Sequence, residues 1–217
     1  MAHPLLLGMG APLFLAGTFA AGRAALARRH KILTPPGIQA AGYVPLGGIH
    51  QYLRLRGRGR TNPVILVLHG GPGSPMAGDA YRWQPLLEGA YTFVHWDQRG
   101  CANTYYRNPG GVKPTLELLL ADLDGLVDYL RAALGCEKIL LLGHSWGTFL
   151  GAVYVGRHPG KVSAYIAVSQ MVDFLQSERI STREAARRAR AAGRPGAARE
   201  MEAQLEDICA CCATGQA

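Results

Sequence analysis

The chain has 217 residues, almost half of them apolar and with charged residues modestly represented, enough for one well-buried domain with a small appendage. That composition excludes a disordered chain, and five cysteines without framework spacing call for no disulfide scaffold. The net charge of +8 arises almost wholly between Arg23 and Arg60, where eight Lys or Arg stand without one Asp or Glu; no aromatic-interleaved binding motif accompanies them, so nucleic acid is not expected as a partner.

Residues 4–22 are uncharged and rich in Leu and Phe, just long enough to cross a bilayer. Arg23, Arg28, Arg29 and Lys31 follow at once. A cleavable signal would carry its charge before the apolar run, so this order predicts an uncleaved anchor through residues 4–22, within an N-terminal segment of residues 1–34, with the rest of the chain cytosolic. Gly8, Gly10, Gly17 and Pro12 inside the run weaken it, which leaves a cytoplasmic protein with an unanchored leader as the alternative.

Pro35-Pro36-Gly37 reads as a linker or entry turn. Tyr43–Leu46 and Ile49–Arg56, split by Gly47-Gly48, read as a β-hairpin. Pro63–His69 is an unbroken apolar run rich in β-branched residues, which suits a strand buried on both faces. A short helix is expected over Ala80–Leu87 and a strand over Tyr91–Asp97. Thr115 can cap a helix over Leu116–Leu134, with Glu117 in its first turn and Gly135 as its stop. Lys138–Gly143 is another buried strand, Trp146–His158 a helix stopped by Pro159, and Val162–Ser169 a further buried strand. Alternating strands and helices predict an α/β, doubly wound and mainly parallel sheet over residues 42–173. From 174 to 217 the texture becomes Ala-, Arg- and Glu-rich, and Gly193-Arg194-Pro195 breaks it into a helical hairpin.

The strongest chemical signal is Gly143-His144-Ser145-Trp146-Gly147, a G-x-S-x-G pattern between an apolar strand and a helix. A nucleophilic serine must be pushed clear of the sheet on a strained turn, and flanking glycines let the backbones approach. The helix from Trp146 then aims its free N–H groups at a developing oxyanion. A second signal, His69-Gly70-Gly71-Pro72-Gly73, ends a buried strand and can turn the Gly71 N–H toward the same oxygen. Cys209, Cys211 and Cys212 crowd the last helix without a partnering His, a poor zinc site, so no metal or cofactor is expected.

With HGGPG at 69–73, DQRGCANT at 97–104 and GHSWGT at 143–148 in this order, the chain resembles the α/β-hydrolase superfamily, and in particular its prolyl aminopeptidase (proline iminopeptidase) branch. The resemblance covers about residues 42–173. It implies a Ser-His-Asp hydrolase acting on a small peptide or ester, with an eight-stranded sheet and a helical cap after the sixth strand. The sheet would be incomplete in this chain, its last strands missing, and residues 174–217 would be the start of the cap. Ser145 would be the nucleophile, and Gly71 and Trp146 the oxyanion donors. His69, Gly70, Asp97, Gln98, Arg99, Gly143 and Gly147 would shape the site.

In that family the triad acid and base follow the serine, on loops beyond the cap. After Ser145 the sequence has one His, His158, a helix length away. His144 leaves the elbow in another direction, His69 belongs to the oxyanion loop and His95 to a buried strand. Asp173 stands where some members of the superfamily place the acid, although it can equally fix the start of the cap. Glu178, Glu184, Glu200, Glu202 and Glu206 are candidates by composition alone to hold a substrate amine. The chain is thus expected to lack triad catalysis by itself. An inactive isoform acting by binding, or an esterase relative, are the alternatives; epoxide hydrolases place Asp where Ser145 stands. Oligomeric state is open.

Overall fold

Six strands pair into one sheet in the order β1-β2-β4-β3-β5-β6: β1 (Ile38–Leu46), β2 (Ile49–Gly57), β3 (Val64–Leu68), β4 (Thr92–Asp97), β5 (Ile139–His144) and β6 (Val162–Val168). A computed structural model provides the coordinates and describes residues 22, 24, 25, 28, 31, 32 and 35–213, with side chains to 210. The expected apolar span over 4–22 therefore lies, Gly22 apart, outside the described residues. Among the described residues no helix is long and apolar enough to cross a membrane. The chain divides after Gln170 into two compact units.

In the first unit, β1 and β2 form the expected hairpin, longer at its start than the sequence suggested, and β2 pairs antiparallel with β4. The β3–β4, β3–β5 and β5–β6 ladders are parallel. Strand order explains which apolar runs are buried. β3 and β4 lie inside the sheet and every residue of both is buried. β6 ends the strand order, and only Val162 is fully buried, while Ile166 and Val168 are 40% and 44% exposed. The expectation of a buried strand at 162–169 fails there, because apolar composition does not supply a covering neighbour.

Helix α1 (Ala102–Arg107) follows β4, and α2 (Leu116–Leu134) precedes β5. The Thr115 hydroxyl accepts the Leu118 N–H at 3.2 Å, and Gly135 closes α2 with φ 65°. Leu119, Leu123, Leu126, Val127 and Leu130 of α2 pack on Leu66, Leu68 and Trp96 of the sheet. Each such burial contributes about 2 kcal/mol before chain entropy is counted. Helix α3 (Trp146–Arg157) follows β5. The helix expected at 80–87 is instead a series of 3₁₀ turns at Met76–Gly78, Ala80–Arg82 and Gln84–Leu86. Pro85 removes an N–H and disfavours the α region for Gln84, so no α-helix propagates.

The second unit is a hairpin of α4 (Phe174–Ala191) and α5 (Pro195–Ala213), close to the expected limits. Asp173 caps α4 by accepting the Gln176 N–H at 2.8 Å, Gly193 turns the chain at φ 72°, and Arg190 bridges to Glu202 at 2.6 Å.

Candidate active site

Three chain segments leave the C-terminal ends of the parallel strands: the loop after β3 touches Ser145, and the loop after β4 touches the loop after β3. The elbow between β5 and α3 puts Ser145 at φ 51° and ψ −119°, a conformation that costs a non-glycine residue about 1–3 kcal/mol. What holds it there is partly backbone. The Ser145 N–H donates to the Val168 carbonyl at 3.0 Å, and the Ser145 carbonyl accepts from the Thr148 hydroxyl at 2.6 Å. Packing does the rest: a Cβ on Gly147 would collide with the Leu68 carbonyl oxygen, and one on Gly143 would stand 2.6 Å from the Gly147 oxygen. Glycine at both positions lets α3 start directly against the end of β3. Trp146 is the first residue of α3, so its backbone N–H has no partner within the helix.

The loop after β3 reaches the same place. A Cβ on Gly70 would lie 3.1 Å from the Ser145 Cβ and from His144 Nδ1, so the two motifs are in direct contact. Gly71 adopts φ 114°, and the Ser74 N–H closes the loop on the Gly70 carbonyl at 3.0 Å. His69 is buried, and its Nε2 accepts the Gln98 backbone N–H at 3.3 Å. Nδ1 therefore carries the proton and donates to the Gly70 carbonyl at 3.0 Å. Burial holds the His69 ring below its ordinary pKa, against smaller upward pulls from Gly70 and Asp97. This imidazole ties two loops together and has no nitrogen left for Ser145.

The loop after β4 supplies the frame. Asp97 accepts from the backbone N–H and the side-chain amide of Asn103, at 3.1 and 2.8 Å, and fixes the start of α1. Arg99 makes a bidentate pair with Asp122 of α2, at 2.7 and 2.8 Å, and also donates to the Gly47 carbonyl at 2.7 Å. Loop, helix and hairpin turn are thereby joined. Asp122 escaped sequence reasoning, although a signal existed: it sits three residues after Leu119 and four before Leu126, on the buried face of α2. Cys101 is also buried beside this frame. Its Sγ donates to the Gln98 carbonyl at 3.0 Å and lies 3.4 Å from His69 Nε2. Burial pushes the thiol up to about 12, with help from Asp97, so it stays neutral.

Residues 63–200 match the family described as alpha/beta hydrolase fold. The chain belongs to that family. Among curated relatives of this α/β-hydrolase, a probable aminopeptidase of Bacillus subtilis is 34% identical over 128 residues, 59% of this chain and 40% of the relative. A probable proline iminopeptidase of Streptomyces coelicolor is 35% identical over 126 residues, 55% of this chain and 36% of the relative. The chain thus spans about two fifths of the length of these relatives. A solved proline iminopeptidase-related protein of Thermus thermophilus superposes with a TM-score of 0.52 at 28% identity, over 64% of this chain and 47% of that one. An epoxide hydrolase of Vigna radiata superposes with a TM-score of 0.51 at 28% identity, over 62% and 39%.

His144 is the neighbour of Ser145 in the elbow, whereas two other histidines of the α/β-hydrolase core, His158 and His95, are bound elsewhere. His158 caps the far end of α3, about 20 Å along the helix from Ser145; it stacks on Tyr154 with ring centres 4.7 Å apart and faces Asp124 at 3.6 Å. His95 bonds Gln84 at 2.7 Å, and burial with Arg54 nearby lowers its pKa to about 4. Asp173 belongs to the second unit and spends its carboxylate on the α4 cap. Among the described residues no cluster of three or more His, Cys, Asp or Glu could hold a metal ion.

Proposed function

We propose that this α/β-hydrolase chain carries the nucleophile and oxyanion-binding half of a serine hydrolase acting on amide bonds in the manner of an aminopeptidase. The observation that carries the reading is Ser145 itself, held at φ 51° at the first turn of α3 with Gly70 of the neighbouring loop pressed against it. In such a site Oγ loses its proton to a base and attacks the substrate carbonyl carbon. The carbonyl oxygen becomes an anion, and the backbone N–H groups of Gly71 and Trp146 are the donors assigned to stabilise it. Collapse expels the protonated amine and leaves an acyl ester on Oγ, which water hydrolyses to the free acid and the serine. Relatives named aminopeptidase and proline iminopeptidase support an amide substrate, and a serine at the elbow favours this chemistry over an epoxide hydrolase's.

Among the described residues His69, His95 and His158 are engaged elsewhere, and none of them is assigned as a base to Ser145. This leads to two expectations, both read by a fluorophosphonate probe with mass-spectrometric mapping of the adduct. Labelling of the 217-residue chain is slow, and it is confined to Ser145. Labelling undiminished in Ser145→Ala would sink the nucleophile assignment, while rapid labelling of Ser145 would show that a base is present after all.

A further inference from the structure

Strand β1 stands at the end of the strand order opposite β6, so it pairs along one side only. Its other side is a row of backbone donors and acceptors, and the turn decides which residues own them. Gly47 and Gly48 adopt φ 56° and 78°, the two positive values a type I′ turn requires, so the Leu46 carbonyl accepts the Ile49 N–H. Hydrogen-bonded and non-hydrogen-bonded pairs alternate from there. Leu46, Val44, Gly42, Ala40 and Ile38 turn their backbone groups to β2, while Pro45, Tyr43, Ala41 and Gln39 turn theirs outward. Strand β2 agrees with this parity. The His50 and Tyr52 N–H groups, opposite Pro45 and Tyr43, leave the β1 ladder and donate to Asn108 at 3.2 Å and Thr104 at 2.9 Å.

Nothing in β1 guards this edge. Edge strands are ordinarily blunted by a charge, a bulge or a proline in the run. Residues 32–53 contain no Asp, Glu, Lys or Arg, the β1–β2 register runs without a shift from Ile38 to Leu46, and Pro45 stands beside the turn. Gln39, Ala40, Ala41, Gly42 and Tyr43 are all exposed. Among the described residues the Ile32 N–H reaches this strand at 2.9 Å, and it takes the Gln39 side-chain oxygen rather than a backbone group. Tyr43 is already braced, since its ring meets that of Tyr52 edge-on at 5.3 Å and lies 5.7 Å from the Arg107 guanidinium.

We propose that β1 is a dimer interface, occupied by β1 of a second copy of this chain, antiparallel about a two-fold axis at Ala41. Ala41 then pairs with Ala41 of the second copy and Gln39 with its Tyr43, and each pair exchanges both its N–H···O bonds. This register uses every outward residue that has both backbone groups. Moving the axis to Gly42 brings in Pro45, which has no N–H, and moving it to Ala40 brings in Gly37, which lies outside β1. The occupant is a second copy rather than a foreign strand because Ala40, Ala41 and Gly42 form no pockets that would read another chain's side chains. The strip is also neutral, so two chains that each carry +8 meet there without opposing charges at the contact. Two six-stranded sheets become one continuous sheet. Edge pairing buries less than the about 1,000 Å² of a stable complex, so the dimer is a weak one.

Sedimentation velocity of the full chain, in a series through the micromolar range, should show a monomer–dimer equilibrium. Ala41→Lys sets two ammonium groups opposite each other at the axis and should weaken association at least tenfold, with the melting temperature of the dilute chain unchanged because position 41 is exposed. Oxidative cross-linking reads the register. Ala41→Cys should give a dimer linked through position 41, where the paired Cα atoms lie about 5.5 Å apart. Ala40→Cys should not, since position 40 faces Gly42 of the second copy and its own counterpart is beyond the roughly 7 Å limit for a disulfide. Mass-spectrometric mapping separates these links from those of the native cysteines. A monomer at every concentration overturns the proposal, and so does association undiminished in Ala41→Lys, which would put the contact elsewhere. Equal cross-linking through positions 40 and 41 overturns the two-fold pairing. Should Ala41→Lys fail to fold, the cross-linking comparison decides alone.

Discussion

Asp122→Ala is the sharpest perturbation of the frame around Ser145. The substitution strips the Arg99 guanidinium of both carboxylate bonds and leaves the Gly47 carbonyl as its one remaining hydrogen-bond partner among the described residues. The Arg99 and Asp122 side chains are 6% and 0% exposed, so water cannot replace the lost anion. Breaking a buried pair from one side costs about 3–5 kcal/mol. Typical domain stabilities are about 5–15 kcal/mol, so roughly a fifth or more of the total is at stake. Removing both charges is a different matter. In Arg99→Met/Asp122→Leu the desolvation of two ions disappears with their attraction, and stability should return to within about 2 kcal/mol of the parent. Urea unfolding followed by fluorescence reads this directly, because Trp83, Trp96 and Trp146 all lie in the first unit. The midpoint should move at constant slope. A single substitution costing less than about 1 kcal/mol, or a double costing the sum of the two singles, would refute the reasoning.

Two further outcomes are expected. Gly147→Ala should lower stability by about 3 kcal/mol or more, since its Cβ would meet the Leu68 carbonyl, whereas Gly156→Ala on the same helix meets nothing within 4 Å and should gain about 0.5–1 kcal/mol; parallel thermal melts compare them. Stability should also fall with acid between pH 6.5 and about 4. His95 is buried with a pKa near 4 in the fold, against about 6.5 unfolded, so below 6.5 the unfolded chain binds the proton first and about 3 kcal/mol is lost by pH 4. His69, also lowered, acts in the same direction. Glu88 extends the loss below its ordinary range: burial pushes its carboxyl up, but bonds from Arg56 and Gln84 outweigh that and hold it down. Urea midpoints across this range should flatten in His95→Gln, and an unchanged slope would show that His95 does not carry the effect.

How much of this could be read from the sequence follows from which interactions are local. The elbow was legible because strand, glycine, serine and helix are neighbours in sequence and the turn demands those residue types in that order. Thr115 and Gly135 marked the ends of α2 for the same reason. The Arg99–Asp122 pair joins residues 23 apart, and its third partner, Gly47, is 52 away, so it exists through topology alone. The 3₁₀ turns around Pro85 were misread because apolar spacing says nothing about a missing amide hydrogen. β6 was read as buried from its side chains, whereas burial depends on what lies beside it. The DQRG motif marked Gln98 as a residue near the site, but its unpaired amide is visible only in three dimensions.

The bond from the Ser145 N–H to the Val168 carbonyl has a consequence for dynamics. Local opening in a sheet is easiest at its rim, where few apolar contacts resist it. β6 is that rim, and its last residue holds the amide of the residue in the strained elbow. Fraying of β6 by one residue would free Ser145 to relax its positive φ, so the elbow geometry is only as persistent as the end of one exposed strand. In hydrogen exchange the Ser145 amide should behave as a rim amide, opening with β6, while those of β3 and β4 wait for the whole sheet to unfold.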